Sequence, residues 1–339
     1  MNRITVLGSG AWGTALALSL ASQNRHRVTL WSHQIHTARA LSLERENRHY
    51  LPGIPFPDDL MVTADEQAAI ADSDWIVSAI PSEFLRASLA RFVPFFQPNQ
   101  TLISATKGIE SGTGLRMSSV IRDCLLSVGL DIPVGALSGP SFALEVAQGQ
   151  PTAITVAFSR LDIAIRAQRE LSSDTLRAYT SDDLIGVELG GALKNVIAIA
   201  TGIATGLGLG YNSTAALITR GIAEITRLAV AAGGRRETLA GLSGIGDLIL
   251  TCTGALSRNR SVGIELGKGK KLPEILAAMN GKVAEGVRTT QAAIDLAHKL
   301  HIDMPITQQM SCILSDNKDP KLAMRELMQR PARHEEDQF

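Results

Sequence analysis

The amino-acid sequence predicts an α/β domain built on a doubly wound parallel sheet, followed by an all-α domain. Three observations support this fold class. A short apolar run near the start leads into glycines that open a helix. Apolar runs then alternate with amphipathic stretches up to about residue 180, and beyond Asp182 helical periods rich in Ala, Leu and Ile replace the strand patterns. We therefore predict two domains, residues 1–182 and 183–339.

The first motif is the stretch ITVLGSGAWG at residues 4–13, which predicts a strand, a tight turn and the start of a helix. In such a turn Gly8 permits the sharp bend, Gly10 leaves room for a pyrophosphate, and Gly13 lets the helix pack closely on the strand. The N-terminus of the helix favours an anion. Because strand and helix flank the glycines on the correct sides, we predict a Rossmann-type dinucleotide-binding turn rather than a purely structural one.

Five further strands are predicted in the first domain, over residues 28–31, 75–80, 101–105, 134–137 and 153–157. The amphipathic stretches between them indicate helices on both faces of the sheet. Ligands of sheets of this kind lie at the carboxyl ends of the strands. A loop is predicted at residues 50–57, which contain three prolines and a glycine.

The end of the second strand bears on which dinucleotide is bound. NAD-binding domains usually carry an acidic residue there for the ribose hydroxyls, but this strand ends Leu-Trp-Ser-His without a carboxylate. A 2′-phosphate would meet no repulsion, and Ser32, His33 or Arg39 can donate hydrogen bonds to it. The sequence thus permits NADP as well as NAD. The alternative, in which Ser32 and His33 only begin a loop and NAD binds through the backbone, stays open.

Composition excludes several classes of partner. The chain has 33 basic and 33 acidic residues, which gives no support for nucleic-acid binding or membrane attraction. The longest apolar stretch, residues 189–209, contains Lys194, Asn195 and several glycines, so we expect a buried helix and no membrane insertion. Three scattered cysteines and the lack of a secretion signal indicate a cytoplasmic protein, and no metal site is visible.

Two lysines are candidates for chemistry. Lys107, in the segment ATKG, follows a predicted strand on the side of the sheet where ligands bind. Lys194 lies in GGALKNV, where apolar neighbours indicate burial. Burial lowers the pKa of a lysine toward the range that is useful for proton transfer. A structural lysine paired with a carboxylate is the equally open alternative.

Two polar clusters accompany these lysines. The segment GLSGIGD places Asp247 after three glycines, and SRNR presents Ser257, Arg258 and Asn259 in a compact row. Taken singly, each cluster is typical of a helix cap or a solvated turn. Guanidinium groups also bind phosphate oxygens bidentately. Together with the two lysines and the glycine turn, the clusters indicate a small, phosphorylated substrate with a carbonyl group.

With these motifs in this order, the chain resembles the NAD(P)-dependent glycerol-3-phosphate dehydrogenase family. The matching segments, which span almost the whole length, are GSGAWGTALA, ATKG, LSGPSFA, GVELGGALKNVIAIA, ALITRG, GLSGIGDLILTCT, SRN, VAEGVRT and MPIT. The resemblance implies a Rossmann domain followed by a helical domain like that of 6-phosphogluconate dehydrogenase. It also implies the reversible reduction of dihydroxyacetone phosphate to sn-glycerol 3-phosphate for glycerophospholipid synthesis, with NAD or NADP as cofactor, by a cytoplasmic homodimer.

The resemblance assigns roles to individual residues. Lys194 matches the proton donor and acceptor, assisted by Lys107 and Asp247. The expected substrate contacts are Lys107, Gly139, Ser141, Asn195, Asp247, Thr251, Ser257, Arg258 and Asn259. The expected cofactor contacts are Gly8, Gly10, Ala11, Trp12, Gly13, His33, Lys107, Ala143, Arg258, Val283 and Glu285.

Two other functions compete with this one. The first is a dehydrogenase of the same architecture that acts on a β-hydroxy acid or ketopantoate. It would need to recognise a carboxylate, and this need does not explain why Ser257, Arg258 and Asn259 accompany two lysines. A non-catalytic sensor of NAD(P) would not need Lys194 or Asp247, whereas both are present.

Overall fold

The chain folds into two compact units. The computed structural model describes residues 1–279, 284–332, 334 and 335. One unit comprises Met1–Lys107 and Met117–Leu184, and the other comprises Gly108–Arg116 and the chain from Ile185 onward. The first unit is α/β and the second is helical, which confirms the predicted fold class.

The short segment Gly108–Arg116 differs from the sequence prediction, which placed it in the first domain. Its Ile109 is buried in the core of the helical unit, and Ile109 forms an isolated bridge with Arg116. Arg116 also forms an ion pair with the buried carboxylate of Glu188. Apolar burial and this ion pair assign the segment to the helical unit, although sequence order alone suggests otherwise.

The α/β unit is built on one eight-stranded sheet with the order β3-β2-β1-β4-β5-β6-β7-β8. The strands are β1 (Asn2–Leu7), β2 (His26–Trp31), β3 (Met61–Thr63), β4 (Trp75–Ser78), β5 (Thr101–Ser104), β6 (Val134–Ser138), β7 (Thr152–Ala157) and β8 (Leu176–Ser181). Strand order reverses at β1 and β4, and the crevice at the carboxyl ends of these strands is where doubly wound sheets bind ligands.

One strand pair departs from the predicted parallel sheet: β6 and β7 are antiparallel, whereas the other pairs are parallel. The connection between them contains only a five-residue helix, α6 (Ala143–Ala147). Such a helix is about 8 Å long and cannot return the chain along a five-residue strand of about 16 Å. The chain therefore re-enters the sheet at the end where β6 leaves it, and β7 runs antiparallel to β6.

Helices cover the sheet of the α/β unit. They are α1 (Ala11–Ala21), α2 (Ile35–Glu44), α3 (Glu66–Ile70), α4 (Leu85–Phe92), α5 (Met117–Leu126), α6, and α7 (Leu161–Leu171). Helix α1 is buried from Gly13 to its end, which explains why its sequence is apolar on every side. The predicted proline-rich loop at residues 50–57 contains neither helix nor strand.

Apart from the segment Gly108–Arg116 and the connecting loops, the described part of the second unit is helical. Its helices are α8 (Leu184–Gly206), α9 (Tyr211–Ala231), α10 (Arg236–Leu239), α11 (Asp247–Thr253), α12 (Arg258–Gly267), α13 (Leu272–Ala278), α14 (Glu285–Lys299), α15 (Pro305–Ser315) and α16 (Pro320–Met328). A single π-helical turn, Leu242–Gly246, precedes α11.

Helix α8 is the centre of the helical core. It is long and apolar enough to cross a membrane, but 89% of its most apolar window is buried inside the protein. The expected buried helix at residues 189–209 is therefore present, beginning and ending a few residues earlier. Glycines let α12 approach it closely, since a Cβ at Gly202 would lie 2.2 Å from the carbonyl oxygen of Arg260.

Candidate active site

The glycine turn between β1 and α1 has the geometry of a dinucleotide site. Gly8 has a φ of 112°, which L side chains rarely adopt, and a Cβ at Gly13 would lie 1.9 Å from the carbonyl oxygen of Gly8. At Gly10 the same construction meets nothing within 4 Å, so the backbone there faces open space. Gly10 also precedes α1 without a side-chain cap, which leaves the first N–H groups of the helix for an anion.

Three of the predicted cofactor residues lie together beside this turn. Ala11, Trp12 and Ala143 pack against one small apolar cluster that includes Ala15 and Val146. The indole Nε1 of Trp12 is buried and has no hydrogen-bond partner in the described chain. Because buried N–H donors nearly always have an acceptor, this donor is suited to a ligand oxygen. The turn and its surroundings thus fit a bound dinucleotide.

The residues predicted for substrate binding in the α/β unit follow strand ends. Gly139 comes directly after β6 with a φ of 135°, and the hydroxyl of Ser141 donates to its carbonyl oxygen at 3.0 Å. A Cβ at Gly139 would lie 2.9 Å from the Cα of Ile154, so this position requires glycine. Lys107 lies three residues beyond the end of β5 and is half-buried.

The end of β2 contains a contact that the sequence did not reveal. Ser32 is buried and accepts a hydrogen bond from Ser9 Oγ at 2.8 Å, whereas His33 and Arg39 are exposed. The Nδ1 atom of His33 lies 2.8 Å from Nη1 of Arg91, which belongs to α4. Arg91 stands 58 positions from His33 and in no recognisable motif, so no sequence pattern indicated it.

Lys194 lies in the middle of α8 and is 6% exposed. Its Nζ donates to Oδ1 of Asp247, which is fully buried, and to Oγ1 of Thr251 at 2.9 Å. Thr251 Oγ1 in turn donates to the backbone oxygen of Asp247 at 2.6 Å. The three predicted residues thus form one buried network, in which the carboxylate of Asp247 orients the lysine and balances its charge.

Close backbone packing brings Asp247 to Lys194. A Cβ at Gly190 would lie 2.5 Å from the carbonyl oxygen of Ser243, so α8 touches the π-helical turn directly at this point. Lys194 is four residues after Gly190, and Asp247 is four residues after Ser243. One helical turn beyond the backbone contact, the two charged side chains therefore meet. Within GLSGIGD, a Cβ at Gly244 would lie 2.0 Å from the carbonyl oxygen of Leu239, so the turn itself requires this glycine.

Asn195 and Asn259 are buried amides on α8 and α12, 3% and 8% exposed. Asn259 Oδ1 accepts from the N–H of Gly286 in the first turn of α14, at 2.9 Å. This bond fixes the orientation of the amide, so its two N–H donors point elsewhere and make no hydrogen bond within the described residues. The side-chain amide of Asn195 also makes no hydrogen bond to the described part of the chain. Buried amides in this condition are suited to a polar ligand.

The remaining predicted residues of the helical unit lie at helix starts. Ser257 is buried and caps α12 by accepting from the N–H of Arg260 at 3.2 Å. Arg258, the first residue of α12, is exposed, and its guanidinium pairs with no carboxylate among residues 1–279, 284–332, 334 and 335. Glu285 begins α14 and is half-buried. Val283 lies outside the described residues.

The cysteines and other metal-ligand residues form no metal centre in the described chain. Cys124 and Cys252 are buried and Cys312 is half-buried, all as free thiols. Burial raises the pKa of Cys252 to about 12, so this thiol is inert at neutral pH although it lies near the lysine network.

Two family models match the chain in succession. The NAD-dependent glycerol-3-phosphate dehydrogenase N-terminus matches residues 3–164, and the corresponding C-terminus matches residues 183–325. The glycerol-3-phosphate dehydrogenase (NAD(P)+) of Acidobacterium capsulatum is 58% identical over 338 residues, which are 99% of this chain and 100% of that protein. The protein of the same name from Koribacter versatilis is 51% identical over 332 residues, 98% of each chain.

A solved structure agrees with these relatives. The crystal structure of glycerol-3-phosphate dehydrogenase from Coxiella burnetii is 40% identical, with a TM-score of 0.92, and the similarity covers 97% of this chain and 99% of that one. Both halves of the chain, the glycine turn and the buried lysine network are thus accounted for by one group of proteins. The chain belongs to the NAD-dependent glycerol-3-phosphate dehydrogenase family.

Proposed function

We propose that this protein reversibly reduces dihydroxyacetone phosphate to sn-glycerol 3-phosphate with NAD(P)H, using Lys194 as the proton donor. The buried Lys194–Asp247–Thr251 network carries the proposal. Its carboxylate partner holds the buried lysine in one orientation, so the lysine is a general acid in a fixed position. A purely structural ion pair does not require such a fixed orientation.

When bound, NAD(P)H supplies the hydride that reaches the ketone carbon. The electron pair of the C=O bond moves to the oxygen, and Nζ of Lys194 donates a proton to that oxygen, giving the alcohol. Lys194 is left neutral and regains a proton from solvent before the next cycle. Asp247 stays ionised and keeps Nζ aimed at the oxygen, while the amide of Asn195 and the charge of Lys107 stabilise the developing alkoxide.

The phosphate of the substrate is assigned to the start of α12. Arg258 is exposed with an unoccupied guanidinium fork, and Asn259 has free N–H donors beside it. Both residues lie in the first turn of a ten-residue helix, where backbone N–H groups favour an anion. Ser257, Gly139 and Ser141 are assigned to substrate by the family resemblance alone.

We propose that residues 1–182 form the cofactor-binding domain and residues 183–339 the substrate-binding and catalytic domain, with Lys107, Gly139 and Ser141 as substrate contacts from the first domain. Val283 and Glu285 are proposed cofactor contacts from the second part. We also propose that the protein is a cytoplasmic homodimer and that it supplies sn-glycerol 3-phosphate for glycerophospholipid synthesis.

Cofactor oxidation with a small set of ketones tests this function. We expect purified protein to consume NADH or NADPH with dihydroxyacetone phosphate, and to act far more slowly on dihydroxyacetone, which lacks the phosphate, and on ketopantoate. Faster reduction of ketopantoate would favour the rival dehydrogenase that recognises a carboxylate. Cofactor binding without oxidation in the presence of dihydroxyacetone phosphate would favour the sensor.

A further inference from the structure

A charged cluster at the end of β2 takes no part in the proton transfer proposed above. It consists of His33, Arg91 and Glu66, and its histidine and arginine lie against the ring of Trp31. Arg91 donates to His33 Nδ1, forms an ion pair with Glu66, and has its Cζ 5.8 Å from the centroid of Trp31. The Trp31 ring also meets His33 edge-on at 6.0 Å. The buried indole thus provides a platform that holds the arginine and the histidine side by side.

The contact with Arg91 determines which ring nitrogen of His33 is the acceptor. A guanidinium carries only donors, so Nδ1 of the histidine must accept with its lone pair. The ring proton of the neutral imidazole is then on Nε2, which makes no hydrogen bond in the described chain. His33 consequently presents one N–H donor at the end of β2, and Arg91 places a permanent positive charge beside it.

The position of this pair suggests its ligand. In Rossmann-type domains the adenosine ribose lies at the end of the second strand, and an acidic residue there selects NAD by binding the 2′-hydroxyl. Here β2 is followed by Ser32 and His33, without a carboxylate. Glu66 is the nearby acid, but its carboxylate is engaged by Arg91. The N–H of His33 and the positive charge of Arg91 stand where NAD-binding domains have the acid. This pair suits a phosphate group on the 2′-oxygen of the ribose.

We propose that Arg91 and His33 together bind the 2′-phosphate of NADP, and that Arg91 determines the preference for NADP over NAD in this chain. The inference rests on the proposed dinucleotide site at the glycine turn. Glu66 reduces the net charge of the cluster and competes for the guanidinium, so it moderates this preference. A single imidazole N–H is a weaker phosphate ligand than a guanidinium fork, so Arg91 supplies the charge and the paired donors that His33 lacks.

Binding of two adenosine fragments tests the proposal without any ketone or nicotinamide. Titration calorimetry compares 2′,5′-ADP, which carries the 2′-phosphate, with 5′-AMP, which lacks it. We expect the wild type to bind 2′,5′-ADP more tightly, and Arg91→Gln to reduce that advantage about tenfold, the loss of one charge-assisted contact. The matched control is Arg86→Gln on the same helix, which removes the same charge from a pair with Asp123 and should leave the advantage unchanged.

A second variant acts in the opposite direction. Glu66→Gln keeps a hydrogen-bond acceptor for Arg91 but removes the opposing charge, so 2′,5′-ADP should bind about threefold more tightly, in the range of a partly exposed ion pair. Equal binding of both fragments by the wild type, an unchanged ratio in Arg91→Gln, or no gain in Glu66→Gln would each overturn the proposal. Since dihydroxyacetone phosphate is absent, failure of the proposed reaction would not affect these results.

Discussion

At the scale of single residues, the two hydrogen-bonding ends of Asn259 have different roles. Its oxygen accepts from the N–H of Gly286 and so ties α12 to the first turn of α14, while its N–H donors are assigned to the substrate phosphate. A structural role and a binding role are therefore combined in one side chain, and they can be separated by substitution.

Asn259→Asp keeps the oxygen for Gly286 but replaces the N–H donors with a second, negatively charged oxygen. We expect KM for dihydroxyacetone phosphate to rise about tenfold or more, because a donor to phosphate is lost and a repulsive charge is gained. The melting temperature should change little, whereas Asn259→Ala should lower it as well. Steady-state kinetics and thermal melts on both variants measure this, and an unchanged KM in Asn259→Asp would remove the residue from the phosphate site.

The sequence was informative about residues whose chemistry is marked by local motifs. Lys194, Asp247 and Thr251 were predicted, and they form one buried network. Burial of Lys194 followed from its apolar neighbours along a single helix. The pairing of Arg91 with His33 depends on where α4 lies relative to β2, which is a tertiary relation without a local pattern, so it could not be predicted.

At the scale of helices and turns, the lysine network depends on one close contact. The backbone of α8 at Gly190 touches the carbonyl oxygen of Ser243 in the π-helical turn, and this contact sets the register of Lys194 against Asp247. Insertions of this kind in helices are frequent at functional sites. Here the π-helical turn precedes α11 directly, and the first residue of α11, Asp247, contacts Lys194.

Gly190→Ala should therefore damage the network without altering any of its polar atoms. The added Cβ would lie 2.5 Å from the carbonyl oxygen of Ser243, so α8 and the turn must separate. We expect kcat to fall at least about tenfold and stability to fall by about 1–3 kcal/mol. Gly210→Ala is the control, since a Cβ there meets nothing within 4 Å. Equal kcat in the two variants would show that the contact does not position the lysine.

Helices α9 and α15 are joined by a buried carboxylate, Glu224. It accepts hydrogen bonds from the N–H groups of Ile306 and Thr307, at 2.6 and 3.2 Å, and from the hydroxyl of Thr307 at 3.1 Å. Burial nevertheless raises the pKa of Glu224 from 4.5 to about 7, because desolvation outweighs these bonds. The folded protein consequently holds a proton here that the unfolded chain releases at lower pH.

This raised pKa makes stability depend on pH. The contribution of Glu224 is fully present below about pH 4.5 and is lost as pH rises through about 7, a change of about 3 kcal/mol. Urea unfolding of the wild type and Glu224→Gln at several pH values measures it. The wild type should lose stability relative to the variant as pH increases from 5 to 8. A difference that does not vary with pH would contradict the assignment.

Most of the sheet was predictable at this scale, but not all of it. Five strands beyond β1 followed from apolar runs, whereas β3 and β8 are partly exposed edge strands whose sequences lack such runs. The antiparallel return of β7 depends on the length of α6, which a short apolar stretch does not reveal.

At the scale of the whole molecule, each unit has its own apolar core, as the composition predicted for a chain of this length. Alternation of strands and helices followed by helices alone was sufficient to predict the fold class. The assignment of Gly108–Arg116 to the helical unit was not predictable, because it depends on the burial of Ile109 and on the pairing of Arg116 with Glu188. A local pattern does not show which core a short loop will join.

The central claim is that Lys194 donates the proton when hydride reaches the ketone. Rapid mixing of enzyme and NAD(P)H with dihydroxyacetone phosphate measures this step for the wild type, Lys194→Arg and Lys194→Met. Arginine keeps the charge that balances Asp247 but does not release a proton, and methionine removes both properties. Lys268→Met, at an exposed lysine paired with Glu265, is the control.

We expect both substitutions of Lys194 to slow the step by at least about 100-fold, with cofactor affinity unchanged and the control equal to wild type. Only Lys194→Met should also lose stability, since it leaves the buried carboxylate of Asp247 without its cation. A wild-type rate in Lys194→Arg or Lys194→Met would contradict the account.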